Sequence, residues 1–257
     1  MDIERHKKQF GSQAENYTKY RLPYSKEVYD FMFSLLPLGS ARILDVACGT
    51  GKSTEPLIKS GLDIFGLDHD PLMLAEAKKQ AEINNLPISY SVGNAEKIPF
   101  EDGYFDAVTV GTAFHWFANE KALTEIRRVM KKGGLLFVFW TLTTKDVPEE
   151  DSIPGEIFRK FKWEKVPSEL RDLGHVSNLF KDNGLEGVGN QIFPFTYNST
   201  VEEQVGLMKT ASSYEVLSEE DRELFIDEIR ESLTRNLGER SHFTYEEEIQ
   251  AVYGFKS

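Results

Sequence analysis

The chain has 257 residues, with 30 Lys and Arg against 42 Asp and Glu, which gives a formal charge of −12. An apolar content of 40% beside 28% charged residues excludes a disordered chain, and the length is ample for a sizeable core. So acidic a balance argues against a protein whose main task is to grip nucleic acid or an anionic membrane, because it repels phosphates at long range.

The single cysteine, Cys48, excludes an intramolecular disulfide and a Cys-rich zinc site, and fits a reducing compartment. The opening Met-Asp-Ile-Glu-Arg-His-Lys-Lys lacks the apolar stretch of a signal peptide. The longest strongly apolar run, 135–140, is too short to span a bilayer. The expectation is a soluble, cytoplasmic protein.

In chain order, residues 1–40 read as helices that end at Pro37-Leu38-Gly39, with aromatic residues at Phe10, Tyr17, Tyr20 and Tyr24. A β-branched run at 42–47 predicts a first strand, broken by Cys48-Gly49-Thr50-Gly51. A helix is predicted over 53–60 with Gly61 as its stop, then a strand over 63–67. Pro71 opens the next helix, whose apolar side is Leu72, Leu74, Ala75, Ala77 and Ala81. Strands follow at 88–92 and 104–110. A helix over 119–132 carries Leu123, Ile126, Val129 and Met130 on one face and ends at Gly133-Gly134, before a strand over 135–140.

Beyond an acidic loop over 141–156, a helix is predicted over 168–183 with Asn183-Gly184 as its stop. Strands at 191–197 and 243–255 enclose helices near 201–211 and 218–237, the second capped by Ser218 and ended by Gly238. Nearly all-apolar strands alternating with helices imply a mostly parallel sheet covered on both faces. The fold class is therefore α/β, a doubly wound, Rossmann-like seven-stranded sheet with an N-terminal helical lid and a helical insertion between the last two strands. It reads as one domain over 1–257, with the lid at 1–40, the core at 41–140 and substrate-side helices and late strands at 141–257.

Ligands bind such sheets at the carboxyl ends of the strands. There, Gly49 and Gly51 permit a tight turn and a close approach, and Asp68 ends the next strand nineteen residues after Gly49, placed for the two hydroxyls of a ribose. An adenosine-type cofactor is implied. A phosphate-binding P-loop would need glycine where Val46 stands, and that reading fails. A dinucleotide fingerprint would need a third glycine where Thr54 stands, which weakens a nicotinamide or flavin dinucleotide but leaves it open. S-adenosylmethionine needs no third glycine.

The residues also carry a resemblance. ILDVACGTG (43–51) looks like the first motif of the class I S-adenosylmethionine-dependent methyltransferases, and GLDHDPLMLAEAK (66–78) resembles the second. GNAEKIPF (93–100) with FDAV (105–108) resembles the third motif and the fourth strand, and EIRRVMKKGGLLFVF (125–139) the helix and strand that follow. The chain is thus similar to the type 11-like, small-molecule branch. The resemblance implies that Asp45 and the loop of Ala47, Gly49, Thr50 and Gly51 hold the methionine part of the cofactor. By the same resemblance Asp68 takes the ribose hydroxyls, His69 packs beside the adenine, Asn94 and Ala95 meet its edge, and Thr112 lines the pocket. The family usually has Asp where Asn94 stands; an amide oxygen still accepts from the adenine amino group, and the alternative is a turn residue.

His115 in the run Phe114-His115-Trp116-Phe117 is the candidate catalytic residue, as a general base, an orienter of a substrate carboxylate, or a ring packed on Trp116. Methyl transfer mostly needs alignment and a dry pocket, so a base is not obligatory. Cys48 reads as a small buried residue of the turn. In the lid, Tyr17 and Arg21 share a helical face. They would cover the cofactor's methionine part or receive an anion, with the tyrosines alternatively packing on the sheet. Tyr20, Trp116 and Trp140 are the remaining candidate substrate residues. The expectation is methyl transfer from S-adenosylmethionine to a small molecule, a carboxylate among the candidates, by a monomer or homodimer without nucleic-acid, membrane or metal partner. A cofactor-binding regulator without turnover and a nicotinamide-dependent oxidoreductase are the alternatives.

Overall fold

A computed structural model describes residues 10–36, 40–58, 62–143, 152–164 and 167–257. Seven strands form one sheet: β1 (Arg42–Val46), β2 (Asp63–Asp68), β3 (Ile88–Val92), β4 (Phe105–Gly111), β5 (Met130–Thr143), β6 (Leu185–Ser199) and β7 (Phe243–Lys256). Their order is β3-β2-β1-β4-β5-β7-β6, and β1 pairs in parallel with both β2 and β4. β2–β3 and β4–β5 are parallel too. The order reverses between β1 and β4, the kind of switch point at which doubly wound sheets bind their ligands. Among the described residues, no helix is long and apolar enough to cross a membrane.

The described helices are α1 (Ala14–Tyr20), α2 (Lys26–Ser34), α3 (Glu55–Ile58), α4 (Pro71–Ile83), α5 (Glu120–Val129), α6 (Gly155–Lys160), α7 (Leu173–Asp182), α8 (Val201–Lys209), α9 (Ser212–Glu215) and α10 (Glu219–Leu237). Helices α8 to α10 form the expected insertion between β6 and β7. Asp70 caps α4 by accepting from Leu72 N at 2.8 Å, and Asn119 caps α5 by accepting from Ala122 N at 2.9 Å. Ser218 caps α10 and Gly238 ends it at φ +59°.

Several predicted boundaries move, each for a local reason. α3 starts at Glu55 and not at 53, and the hydroxyls of Ser53 and Thr54 turn inward to Asp45. Its expected stop, Gly61, lies outside the described residues, as do Pro37-Leu38-Gly39 and residues 144–151 of the predicted 141–156 loop. α5 ends at Val129, not Lys132, since Met130 already pairs with Phe105 and Gly133 (φ +73°) bulges the strand. The predicted 168–183 helix is a 3₁₀ turn (Ser168–Arg171) followed by α7; Asp172 separates them by accepting from His175 N at 2.7 Å. On α4, Leu72 and Ala75 are exposed, and Met73 and Glu76 are buried instead. The helix turns its 73/77 side to the glycine loop, with Met73 Cε beside Gly49 and Ala77 Cβ beside Gly51.

The chain falls into two compact units. The larger holds Pro23–Leu142, Pro167–Phe193 and Ile249–Ser257. Its core packs Leu44, Val46, Val108, Leu136, Val138 and Phe180, among others. The smaller holds Met1–Leu22, Thr143–Val166 and Pro194–Glu248, around Phe161, Val205, Phe225 and Phe243. Trp163 stacks on Phe225 at 4.7 Å within it. The stretch expected to act as one N-terminal lid is thus divided: α1 belongs with the smaller unit and α2 with the larger.

Candidate active site

The turn after β1 is built from strained backbone. Ala47, Gly49 and Gly51 have φ of +57°, +55° and +89°. A left-handed alanine costs about 1–2 kcal/mol, so the surroundings must hold it. A Cβ on Gly51 would lie 2.6 Å from Tyr90 Oη, a clash, whereas one on Gly49 would lie 3.2 Å from Met73 Cε, so that the positive φ is what favours glycine there.

Asp45, the penultimate residue of β1, is fully buried. Its carboxylate accepts from Ser53 Oγ (2.7 Å), Thr54 Oγ1 (2.7 Å) and Thr109 Oγ1 (3.1 Å). Burial pushes its carboxyl up to about 6, against the pull of the three hydroxyls, and the Asp68 charge adds to the rise. These three hydroxyls tie Asp45 to the loop after β1 and to β4.

Asp68 ends β2 and takes one N–H on each oxygen, Gly49 N on Oδ2 at 2.8 Å and Asp70 N on Oδ1 at 2.9 Å. The loop of β1 is therefore pinned to the carboxylate of β2. The His69 ring, half exposed, has Nδ1 3.3 Å from Asp68 Oδ1. Thr50 Oγ1 is buried and has no hydrogen-bond partner among the described residues. After β3, Asn94 Oδ1 accepts from Glu96 N at 2.8 Å, so that oxygen closes a turn, and Ala95 is buried beside it.

After β4, Thr112 sits at φ +53°, with its N–H donating to Phe139 O at 2.7 Å. Tyr24 Oη donates to Thr112 Oγ1 at 2.7 Å, and Tyr29 Oη donates to Ser53 O at 3.2 Å. His115 lies buried in a 3₁₀ turn with its ring 4.6 Å from that of Trp116. Trp140, next to Phe139 on β5, is buried, and its Nε1 has no partner among the described residues.

The larger unit thus gathers Asp45, Ala47, Gly49, Thr50, Gly51, Asp68, His69, Asn94, Ala95, Thr112, His115, Trp116 and Trp140 at the carboxyl ends of β1 to β5. Tyr17, Tyr20 and Arg21 belong to the smaller unit. Tyr20 lies on α8, where a Cβ on Gly206 would stand 2.3 Å from its ring. The Arg21 guanidinium lies 5.2 Å from the Tyr17 ring and donates to Thr210 O at 3.4 Å.

Tyr29 and Tyr90 escape the sequence reading, which notes Tyr24 only as one of the aromatic residues of the N-terminal stretch. Only Tyr90 left a signal, since the pairing of β2 with β3 sets Gly66 opposite it and leaves room for the ring.

These residues fit an adenosine-bearing cofactor. A carboxylate stands at the end of β2, a cradle that a Cβ would fill lies next to it, and the buried Thr50 hydroxyl offers an unused donor.

Comparison with known proteins agrees. A family model described as a methyltransferase domain matches residues 44–138. An uncharacterised methyltransferase-like protein of Schizosaccharomyces pombe is 30% identical over 233 residues, 89% of this chain and 88% of that one. A demethylmenaquinone methyltransferase of Thermus thermophilus is 44% identical over 100 residues, 38% of this chain and 46% of that one. The chain spans about half the length, 51%, of the Mycobacterium bovis and Mycobacterium tuberculosis methyltransferases it matches. A solved structure from Anaeromyxobacter dehalogenans, assigned as a type II methyltransferase, shares the fold at a TM-score of 0.66 and 17% identity, over 92% of this chain and 97% of that one. The likeness to the fission-yeast protein runs along nearly the whole of both chains, and with the glycine loop tied to Asp68 it has one meaning: the chain belongs to the class I S-adenosylmethionine-dependent methyltransferases.

Proposed function

We propose that the chain transfers a methyl group from S-adenosylmethionine to a small-molecule acceptor by in-line displacement. The observation that carries this is the pinning of Gly49 N to Asp68 Oδ2 at 2.8 Å, which fixes a glycine cradle against a ribose-binding carboxylate. The relative named for demethylmenaquinone supports a small acceptor. The cofactor supplies an electrophilic methyl on a sulfonium, which an acceptor lone pair displaces.

The chain's own residues bind and orient. Asp68, held by two N–H groups, keeps lone pairs for the ribose hydroxyls. Ala47, Gly49, Thr50 and Gly51 carry the methionine part over the buried Asp45. With Asn94 Oδ1 closing a turn, the adenine edge falls to the Asn94 amide nitrogen and the backbone of Ala95. His69 packs beside the base. His115 and Trp116 flank the acceptor, and the Trp140 N–H, buried without a partner among the described residues, offers a donor to an acceptor oxygen. A carboxylate acceptor, the first to test, arrives ionised and needs no base, so His115 orients it; a phenol or amine uses the same imidazole to take its proton. Tyr17 and Arg21 as cofactor residues and Tyr20 as a substrate residue belong to this reading too, and the working form is a monomer or homodimer.

Calorimetry with S-adenosylmethionine, S-adenosylhomocysteine and a nicotinamide dinucleotide tests the cofactor. Binding of the first two, lost in Asp68→Ala, is expected; tight dinucleotide binding without sulfonium binding overturns the reading. Release of S-adenosylhomocysteine over a panel of small acids, phenols and amines tests the reaction. Cofactor binding with no turnover on any of them would favour a regulatory protein instead.

A further inference from the structure

The turn that ends β4 is held by a side chain to which nothing above gives a role. Thr112 is β-branched, yet it sits in the left-handed region at φ +53°. Such a residue stays there only if its surroundings fix it. Its backbone is tied to β5 through Phe139 O, and its hydroxyl accepts from Tyr24 Oη at 2.7 Å. Tyr24 is itself braced: its ring meets the Phe139 ring edge-on at 4.7 Å, and Tyr29 meets the same ring at 6.0 Å. Tyr29 in turn donates to Ser53 O, and Ser53 Oγ donates to Asp45. The two turns touch directly as well, since a Cβ on Gly111 would stand 2.8 Å from Ser53 Cβ.

A hydroxyl carries one proton. With Tyr24 donating into a lone pair of Thr112 Oγ1, the Thr112 proton points elsewhere, and no described residue accepts it. The strand order says what lies in that direction. Asn94 and Ala95 follow β3, Asp68 ends β2, the glycine loop follows β1, and Thr112 follows β4, in the spatial order β3-β2-β1-β4. A nucleoside with its ribose on Asp68 and its base toward β3 therefore has its amino-acid end on the β1–β4 side.

We propose that Tyr24 is a positioning residue that turns the Thr112 hydroxyl into a hydrogen-bond donor for the α-carboxylate of the bound cofactor. This rests on the cofactor reading above and adds to it a residue outside the glycine loop and its acidic partners. The donor is pre-set: Tyr24 fills the acceptor side of Thr112 before the ligand arrives, so little rotor freedom is left to lose on binding.

The test compares two nucleosides that share adenine, ribose and a thioether but differ in the amino-acid end. S-adenosylhomocysteine has the α-carboxylate, and 5′-methylthioadenosine lacks it. Calorimetry on the full chain should show Tyr24→Phe binding S-adenosylhomocysteine about fivefold more weakly, the cost of re-ordering a hydroxyl that Tyr24 no longer fixes. Methylthioadenosine should stay within about twofold of wild type, because its contacts do not pass through Thr112. Thr112→Ser keeps the hydroxyl and should bind as wild type; Thr112→Val removes the donor itself and should lose more than Tyr24→Phe, about tenfold, and the Tyr24→Phe/Thr112→Val pair should be no weaker than Thr112→Val alone. Equal loss for both nucleosides in Tyr24→Phe would reveal a general packing role and overturn the proposal, as would no loss for either. A wild-type chain that binds neither nucleoside overturns the cofactor reading itself, a result distinct from these.

Discussion

Tyr90 sets the size of residue 51. Its phenol oxygen stands 2.6 Å from where a Cβ on Gly51 would be, and the next atoms, Ala77 Cβ and Tyr90 Cζ, are 3.6 Å away. Gly51→Ala therefore meets a clash and an unfavourable φ of +89° together. A loss of about 2–4 kcal/mol is expected, read as a fall in unfolding midpoint of roughly 5–15 °C, with cofactor binding lost. Removing the oxygen with Tyr90→Phe clears the clash and leaves only the backbone strain. The Gly51→Ala/Tyr90→Phe protein should recover part of the midpoint; a double variant as unstable as Gly51→Ala would show that Tyr90 is not what limits the position.

Asp45 makes folding stability depend on pH. Its carboxyl rises from 3.8 in an ordinary aspartate to about 6 in the fold, mainly through burial. Between about pH 4 and pH 6 the folded chain keeps a proton that the unfolded chain has released. The contribution of this group is thus complete below about pH 4 and lost as pH rises through 6, a swing of about 3 kcal/mol. Asp45→Asn cannot titrate. The midpoint of wild type minus that of Asp45→Asn should fall by several degrees from pH 4 to pH 6.5 and then level off. Parallel midpoint curves across that range would rule the idea out.

Strands β1, β2 and β4 were legible because each is a short, mostly apolar run closed by glycine or aspartate, whereas β6, mixed in polarity, runs over Leu185–Ser199 and outreaches the 191–197 read from the sequence. Asp68 and the glycine loop were legible for the same reason, as their spacing follows from two adjacent parallel strands. Reading failed where a tertiary partner decides. Gly133 looks like a helix stop, yet Met130 pairs with Phe105 and makes it a strand bulge. Arg128 looks like a cation on a helix end. In the fold its guanidinium bonds Glu125, Asp102 and the carbonyls of Ile98 and Phe100, clamping the turn before β4. Tyr24 and Tyr29 lie far along the chain from Thr112 and Ser53, and no local pattern announces such pairs.

Gly206 gives a test inside the smaller unit. Tyr20 lies so close to α8 that a Cβ at 206 would stand 2.3 Å from its ring. The contact is backbone against aromatic face and has no slack. Gly206→Ala should destabilise by about 1–3 kcal/mol despite alanine's better helix propensity, because overpacking outweighs the propensity gain of about 1 kcal/mol. Tyr20→Leu, smaller at the same place, should reverse the sign and let Gly206→Ala stabilise. The readout is the unfolding midpoint of the four proteins. Additive changes would mean that the two residues do not limit each other.

Asp68→Asn separates the ribose from the amino-acid end of the cofactor. Each Asp68 oxygen already accepts an N–H, from Gly49 and from Asp70. An amide of the same shape must turn its NH₂ toward one of these donors, leaving donor facing donor, which costs about 1–3 kcal/mol of stability. The variant also loses the charged acceptor for the ribose hydroxyls. Both S-adenosylhomocysteine and 5′-methylthioadenosine carry that ribose, so Asp68→Asn should weaken both by a similar factor, on the order of a hundredfold for a lost charged, bidentate contact. Tyr24→Phe should weaken only the first. The contrast places the two residues at opposite ends of one bound molecule without requiring an acceptor to be known. Binding of either nucleoside by Asp68→Asn within about threefold of wild type would remove the carboxylate from the site, since a loss that small is under 1 kcal/mol.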